Sequence, residues 1–148
     1  AQFGADDGAI HSNTYLLEKQ YGWKGVCIEP NPDWFVKLEA GDRNCVKVNA
    51  GVGKEEGELE FWHVVKVGDL RVQFMSDAHL RHAMRLGGPV NKFKVPVKPL
   101  ETILAEAGFL CDEIDYASVD CEGCEVLALD GVDLRRFKWV TVEQNSYE

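Results

Sequence analysis

The first residues with chemical potential form a loop near the start of the chain, Gly4-Ala5-Asp6-Asp7-Gly8. Glycine tolerates positive φ and has no Cβ, so Gly4-x-Asp6-x-Gly8 lets the backbone turn sharply and approach a ligand closely. The loop is like a dinucleotide fingerprint, but Asp6 stands where a middle glycine would admit pyrophosphate. A carboxylate there repels phosphate and suits a ligand with an ammonium or sulfonium group. Alone, such a loop is also an ordinary tight turn; its place before a helix, with an acid downstream, favours a nucleoside. That acid is Glu29, 21 residues beyond Gly8, where a carboxylate about 20 residues past a Gly-rich turn can accept hydrogen bonds from both ribose hydroxyls. Its plainer role is a solvated acid at the start of a loop. Pro30 and Asn31 fix the turn beyond it. Asn49-Ala50 either borders a base edge or is simple turn chemistry.

A second acidic group is Asp120-x-Glu122-Gly123. Two carboxylates there order the charged end of a cofactor, deprotonate a substrate, or hold a metal through oxygen ligands. Helix capping is the competing structural role, and no metal site is assigned. An alcohol nucleophile needs a base, for which Asp120, Glu122, Glu143 and His11 are the candidates. His79 and His82 fall in 76–88, a stretch with little core periodicity that reads as a lid, a substrate loop or plain surface.

These groups need strands and helices to bring them together. Gln2-Phe3 reads as the tail of a strand, followed by a helix from Ser12, its N-cap, to Gln20. Gly25–Glu29 is a short buried strand. Asn31-Pro32 caps a second helix whose apolar side is Trp34, Phe35 and Leu38, and Gly41 stops it. Cys45–Asn49 is a third strand. Leu59–Val65 and Phe93–Val97 alternate and are expected to pair as an inserted antiparallel ribbon. Pro99 opens a helix with Leu100, Ile103, Leu104 and Ala107 at helical spacing. Tyr116–Asp120 is a strand, Glu125–Leu129 a short helix and Trp139–Glu143 a last strand. Alternating strands and helices predict a mainly parallel sheet with right-handed crossovers. Ligands of such sheets sit beyond the carboxyl ends of the strands, where Gly4–Gly8, Glu29–Asn31, Asn49-Ala50, Asp120–Gly123 and Glu143–Asn145 fall, and four of these five groups carry an acid. Strand ends need no acids for folding.

Bulk properties narrow the function classes. The chain has 148 residues, 45% hydrophobic and 28% charged, enough for one globular domain and too few for two. No apolar run nears the ~20 residues of a membrane span. A net charge of -9 argues against a nucleic-acid partner and suits a cationic ligand. The chain opens on Ala1, so the natural start is expected upstream. Its five cysteines are odd in number and scattered through apolar segments, which reads as buried thiols in a reducing, cytoplasmic setting. Cys121-x-x-Cys124 is taken as a pair of small packing residues. Trp23, Trp34 and Trp139 are expected in the core.

The motifs, in this order, resemble the FkbM-type methyltransferase family over nearly the full length. The carriers are Phe3–Gly8 with Ser12-Asn13-Thr14, then Glu18-Lys19 and Gly22-Trp23-Lys24-Gly25-Val26-Cys27-Ile28-Glu29-Pro30-Asn31-Pro32, Val48-Asn49-Ala50, Ile114–Gly123 and Val140–Glu143. The resemblance implies an α/β class I methyltransferase fold: a Rossmann-like three-layer sandwich, mainly parallel, over residues 1–148 as one domain. It implies S-adenosyl-L-methionine as donor and O-methylation of a hydroxyl on a small molecule or carbohydrate. By position, Gly4, Asp6, Asp7 and Gly8 with Ser12 and Asn13 would line the methionine side. Glu29, with Pro30 and Asn31, would take the ribose, and Asn49 with Ala50 the adenine region. Asp120 and Glu122 would lie where cofactor and substrate meet. Cys121 and Cys124 stand where small aliphatic residues are commoner, which puts no ligand contact in doubt. Such folds continue past the fifth strand into an antiparallel pair, and an open edge is a pairing hazard. The expectation is therefore a sequence truncated before the first strand and after the fifth, an edge covered by a partner such as a homodimer, or both. The competing functions are an NAD-dependent oxidoreductase, which Asp6 disfavours, and a nucleoside-binding module without turnover.

Overall fold

The computed structural model describes residues 1–65, 71–74, 90–110, 113–121 and 124–144. Two sheets carry the site. The first has five parallel strands: β1 (Gln2–Phe3), β2 (Val26–Ile28), β3 (Val46–Val48), β8 (Ile114–Val119) and β9 (Phe137–Val142). Their spatial order is β3-β2-β1-β8-β9. The order reverses between β1 and β8, the switch point at which open α/β sheets hold their ligands.

Alternating side chains along the strands divide the core between two faces. Cys27 on β2 packs with Ala5, Leu38 and Cys45, beneath α2 (Pro32–Ala40). Phe3, Val26, Ile28 and Val119 point the other way, onto Leu100, Ile103 and Leu104 of α3 (Leu100–Glu106) and Ala128 of α4 (Glu125–Leu129). Helices thus cover both faces, as right-handed crossovers require. The α2 cap is as expected: the Asn31 side chain accepts from the Asp33 N–H at 3.0 Å, with Pro32 at the first helical position. No helix among the described residues is long and apolar enough to cross a membrane.

The second sheet contains the expected ribbon and two further strands, in the order β4-β7-β5-β6. These are β4 (Gly51–Val52), β5 (Gly57–Val65), β6 (Arg71–Phe74) and β7 (Val90–Lys98). β5 pairs antiparallel with β7, Leu59 opposite Val95 and Phe61 opposite Phe93. Phe61, Val95 and Val97 form its own small core.

Three expectations need correction. The first helix, α1, is Tyr15–Tyr21, with Thr14 rather than Ser12 as N-cap; the Ser12 hydroxyl still accepts the Tyr15 N–H at 3.1 Å, so the capping chemistry lies in the preceding turn. Of the three tryptophans expected inside, only Trp34 is buried; Trp23 is 42% and Trp139 74% exposed. Trp23 follows the left-handed Gly22 that ends α1, and Trp139 lies on β9, the terminal strand of its sheet. Cys121 and Cys124 are not free thiols: they are joined in a disulfide, their Cα atoms 5.4 Å apart, within bridging reach. Cys27 and Cys45 are free and buried.

Candidate functional site

Strand register decides whether the predicted residues meet. The ladder aligns Val48, Ile28, Phe3, Val119 and Val142 across the sheet. The next residues, Asn49, Glu29, Gly4, Asp120 and Glu143, therefore form one row along the carboxyl rim. With about 4.8 Å between strands, Asn49 and Asp120 are about 14 Å apart along it.

Glycine is required at the centre of this row. Gly4 has φ +73°, and a Cβ there would fall 1.8 Å from the Asp120 carbonyl oxygen. Its N–H and that of Ala5 both donate to Ile28 O, at 3.0 and 3.1 Å. Asp6 adopts φ 49° and His11 φ 59°, a left-handed backbone that non-glycine residues adopt only under constraint. For Asp6 the constraint is Glu29, which is 0% exposed. One carboxylate oxygen accepts the Asp6 N–H at 2.8 Å and the other the Asn31 N–H at 2.7 Å. Asn49 Nδ2 donates to Glu29 O at 2.8 Å and Pro30 O at 3.2 Å, tying the second and third strand ends together.

The other predicted residues are in place around this centre. Asp7 accepts the N–H groups of Ala9 and Ile10, each at 2.9 Å, so it shapes the turn. Ser12 Oγ donates to Gln2 Oε1 at 2.8 Å, and Asn13 Nδ2 donates to Ser118 Oγ at 2.9 Å. His11 is exposed on the same turn. Gly4, Pro30 and Ala50 border a small apolar cavity with Val95, Val97 and the Cys121–Cys124 pair. Asn13, Tyr116, Ser118, Asp120, Thr141 and Glu143 border a more polar pocket of about 240 Å³. Glu122, Gly123, His79 and His82 lie outside the described residues.

One central residue was missed. Arg43, its side chain 2% exposed, lies behind the loop with Glu18. Burial alone would push the Glu18 carboxyl up, but the Asn44 N–H at 2.8 Å and Arg43 Nε at 3.0 Å outweigh it and hold the group below its ordinary value. Nearby, a side-chain hydrogen bond between Cys27 and Cys45, together with burial, pushes the Cys27 thiol up. The same bond draws Cys45 down, against its own burial. No spacing signal marks Arg43; an arginine between Asp42 and Asn44 reads as solvated loop.

The family model of the methyltransferase FkbM domain matches residues 2–148. No curated protein and no solved structure matches the chain.

Proposed function

The chain belongs to the methyltransferase FkbM domain family, and from that premise we propose that it moves a methyl group from S-adenosyl-L-methionine to a hydroxyl of a small molecule or carbohydrate. The family sets the oxidoreductase alternative aside. The observation that carries the proposal is the single row of Asn49, Glu29, Gly4, Asp120 and Glu143 on the carboxyl rim. The residues present fit such a donor. Asn31 Nδ2 is buried with no hydrogen-bond partner among the described residues, a donor that a nucleoside hydroxyl beside Glu29 would satisfy.

When bound, S-adenosyl-L-methionine supplies an electrophilic methyl carbon on a sulfonium. Glu29 would hold the ribose. Pro30, Asn49 and Ala50 would border the adenine, which would lie over the cavity behind them, because that gap of about 20 Å³ is only water-sized. Gly4, Asp6, Asp7 and Gly8, with Ser12 and Asn13, would line the methionine portion, where acidic side chains suit its cationic centres. The polar pocket between Asn13, Ser118, Thr141 and Glu143 would take the acceptor. Asp120 opens onto that pocket and would accept the hydroxyl proton as the oxygen attacks in line; Glu122 and His11 are the alternative bases. Holding nucleophile and methyl carbon aligned supplies much of the rate. Among the described residues β9 is the terminal strand of its sheet, which supports a homodimer contact. Buried Cys27 and Cys45 thiols support a cytoplasmic setting, against which the Cys121–Cys124 disulfide argues.

Calorimetry tests the proposal. Donor binding at micromolar to low millimolar concentration is expected, strongly weakened in Glu29→Ala, with methyl transfer to hydroxylated acceptors. No binding overturns it; binding without turnover on any hydroxyl leaves a nucleoside-binding module in place of an enzyme.

A further inference from the structure

We propose that Arg43 is the positioning residue of the donor loop, fixing residues 6–14 from behind while Glu29 fixes them from the front. The three nitrogens of its guanidinium donate to four residues of this segment and its helix. Nη1 donates to Gly8 O at 2.6 Å and Ser12 Oγ at 3.1 Å, Nη2 to Thr14 Oγ1 at 2.9 Å, and Nε to Glu18 Oε2 at 3.0 Å. The stem is used as well. A Cβ on Gly8 would lie 2.9 Å from Arg43 Cγ and 2.5 Å from Leu38 Cδ1, so the loop rests directly on the side chain.

Stability alone does not account for this arrangement. Taking a guanidinium out of water costs about what its buried ion pair returns, and a well-packed apolar residue is often as stable. What an apolar residue cannot do is set the loop's path. The fork reaches Gly8, Ser12 and Thr14 at once, and Ser12 and Thr14 also donate to Gln2 Oε1 of β1. The loop is thereby registered against the strand it leaves. Lysine, a point charge on a flexible stem, cannot reproduce a planar fork. The donors already named face into the protein, so Arg43 acts through the loop.

The kinetic part of the test rests on the donor reading above; the structural part does not. In Arg43→Lys, amide exchange within residues 5–12 should accelerate at least about tenfold, the equivalent of one ordering hydrogen bond. Amides of β8 and β9 should keep their protection. KM for S-adenosyl-L-methionine should rise by a similar factor while kcat at saturating donor stays within about twofold, as expected when uniform binding is lost. Unchanged exchange in residues 5–12, or acceleration spread evenly over the chain, overturns the proposal. If the unaltered protein binds no donor, the functional reading fails and the exchange comparison still decides Arg43. If Arg43→Lys does not fold, Thr14→Val, which removes the Nη2 acceptor and with it the Thr14 donation to Gln2 Oε1, carries the same comparison with the same two outcomes.

Discussion

Replacing Glu29 by Gln keeps the side chain's shape and removes its charge, at a position 0% exposed where both oxygens hold backbone N–H groups. An amide offers one oxygen, which can serve either Asp6 or Asn31; its NH2 group then faces the other N–H, donor against donor. The loss is one charge-assisted hydrogen bond weakened and one buried donor left unpaired. Hydrogen bonds to charged groups contribute about 1.5–3 kcal/mol, and an unpaired buried donor costs about 1–3 kcal/mol. The two overlap, so a destabilisation of about 2–4 kcal/mol is expected. For a chain of this size that lowers Tm by about 5–15 °C. Differential scanning calorimetry reads the shift, and amide exchange at Asp6 and Asn31 locates it. A Glu29→Gln protein with the parent's Tm, and unchanged exchange at both amides, would refute the clamp and leave Glu29 with no role in the free loop.

Gly4→Ala places a methyl group on the Asp120 carbonyl at φ +73°; adding the left-handed penalty of about 1–2 kcal/mol, the variant should not accumulate as soluble protein, and a normal yield with native circular dichroism contradicts that geometry. Removing the Cys121–Cys124 bridge, by Cys121→Ser with Cys124→Ser or by reductant, should cost about 2 kcal/mol on the chain-entropy relation for so short a loop; equal Tm with and without reductant counts against it. The Glu18 carboxyl is held below its ordinary value in the folded chain, with Arg43 and Lys19 as its cationic neighbours. Its contribution is therefore complete above the unfolded pKa of about 4.3 and disappears as pH falls through the lower folded value. Glu18→Gln should flatten the acid limb of Tm against pH, and an unchanged limb rules this contribution out.

The rim of the sheet was legible because its signals are local. Gly4 must be glycine for its own backbone angle, Asn31-Pro32 carries a complete helix start, and Leu100, Ile103 and Leu104 repeat at helical spacing. From these the parallel sheet, the helices on its two faces and the row of strand ends follow. Most of the misses have a different cause: they depend on residues far apart in the chain. β4 is the two residues Gly51–Val52, which make a strand only because β7 lies beside them. Arg43 is central only once Gly8, Ser12 and Thr14 fold back upon it. Whether Trp139 is covered depends on its neighbours in space, and β-branched and aromatic patterning looks alike on a terminal strand and a central one. The CxxC pair spans a strand end and a helix start, where the turn between them, not the spacing, sets the Cα separation.

The left-handed backbone of Asp6 at φ 49° has a consequence for engineering. Glycine or asparagine sits in that conformation at lower cost, so a library ranked only by heat resistance should enrich substitutions at this position. Such winners would be sturdier proteins that had discarded the carboxylate proposed to line the methionine side of the donor. Breeding this chain for robustness therefore needs a turnover selection applied in the same round.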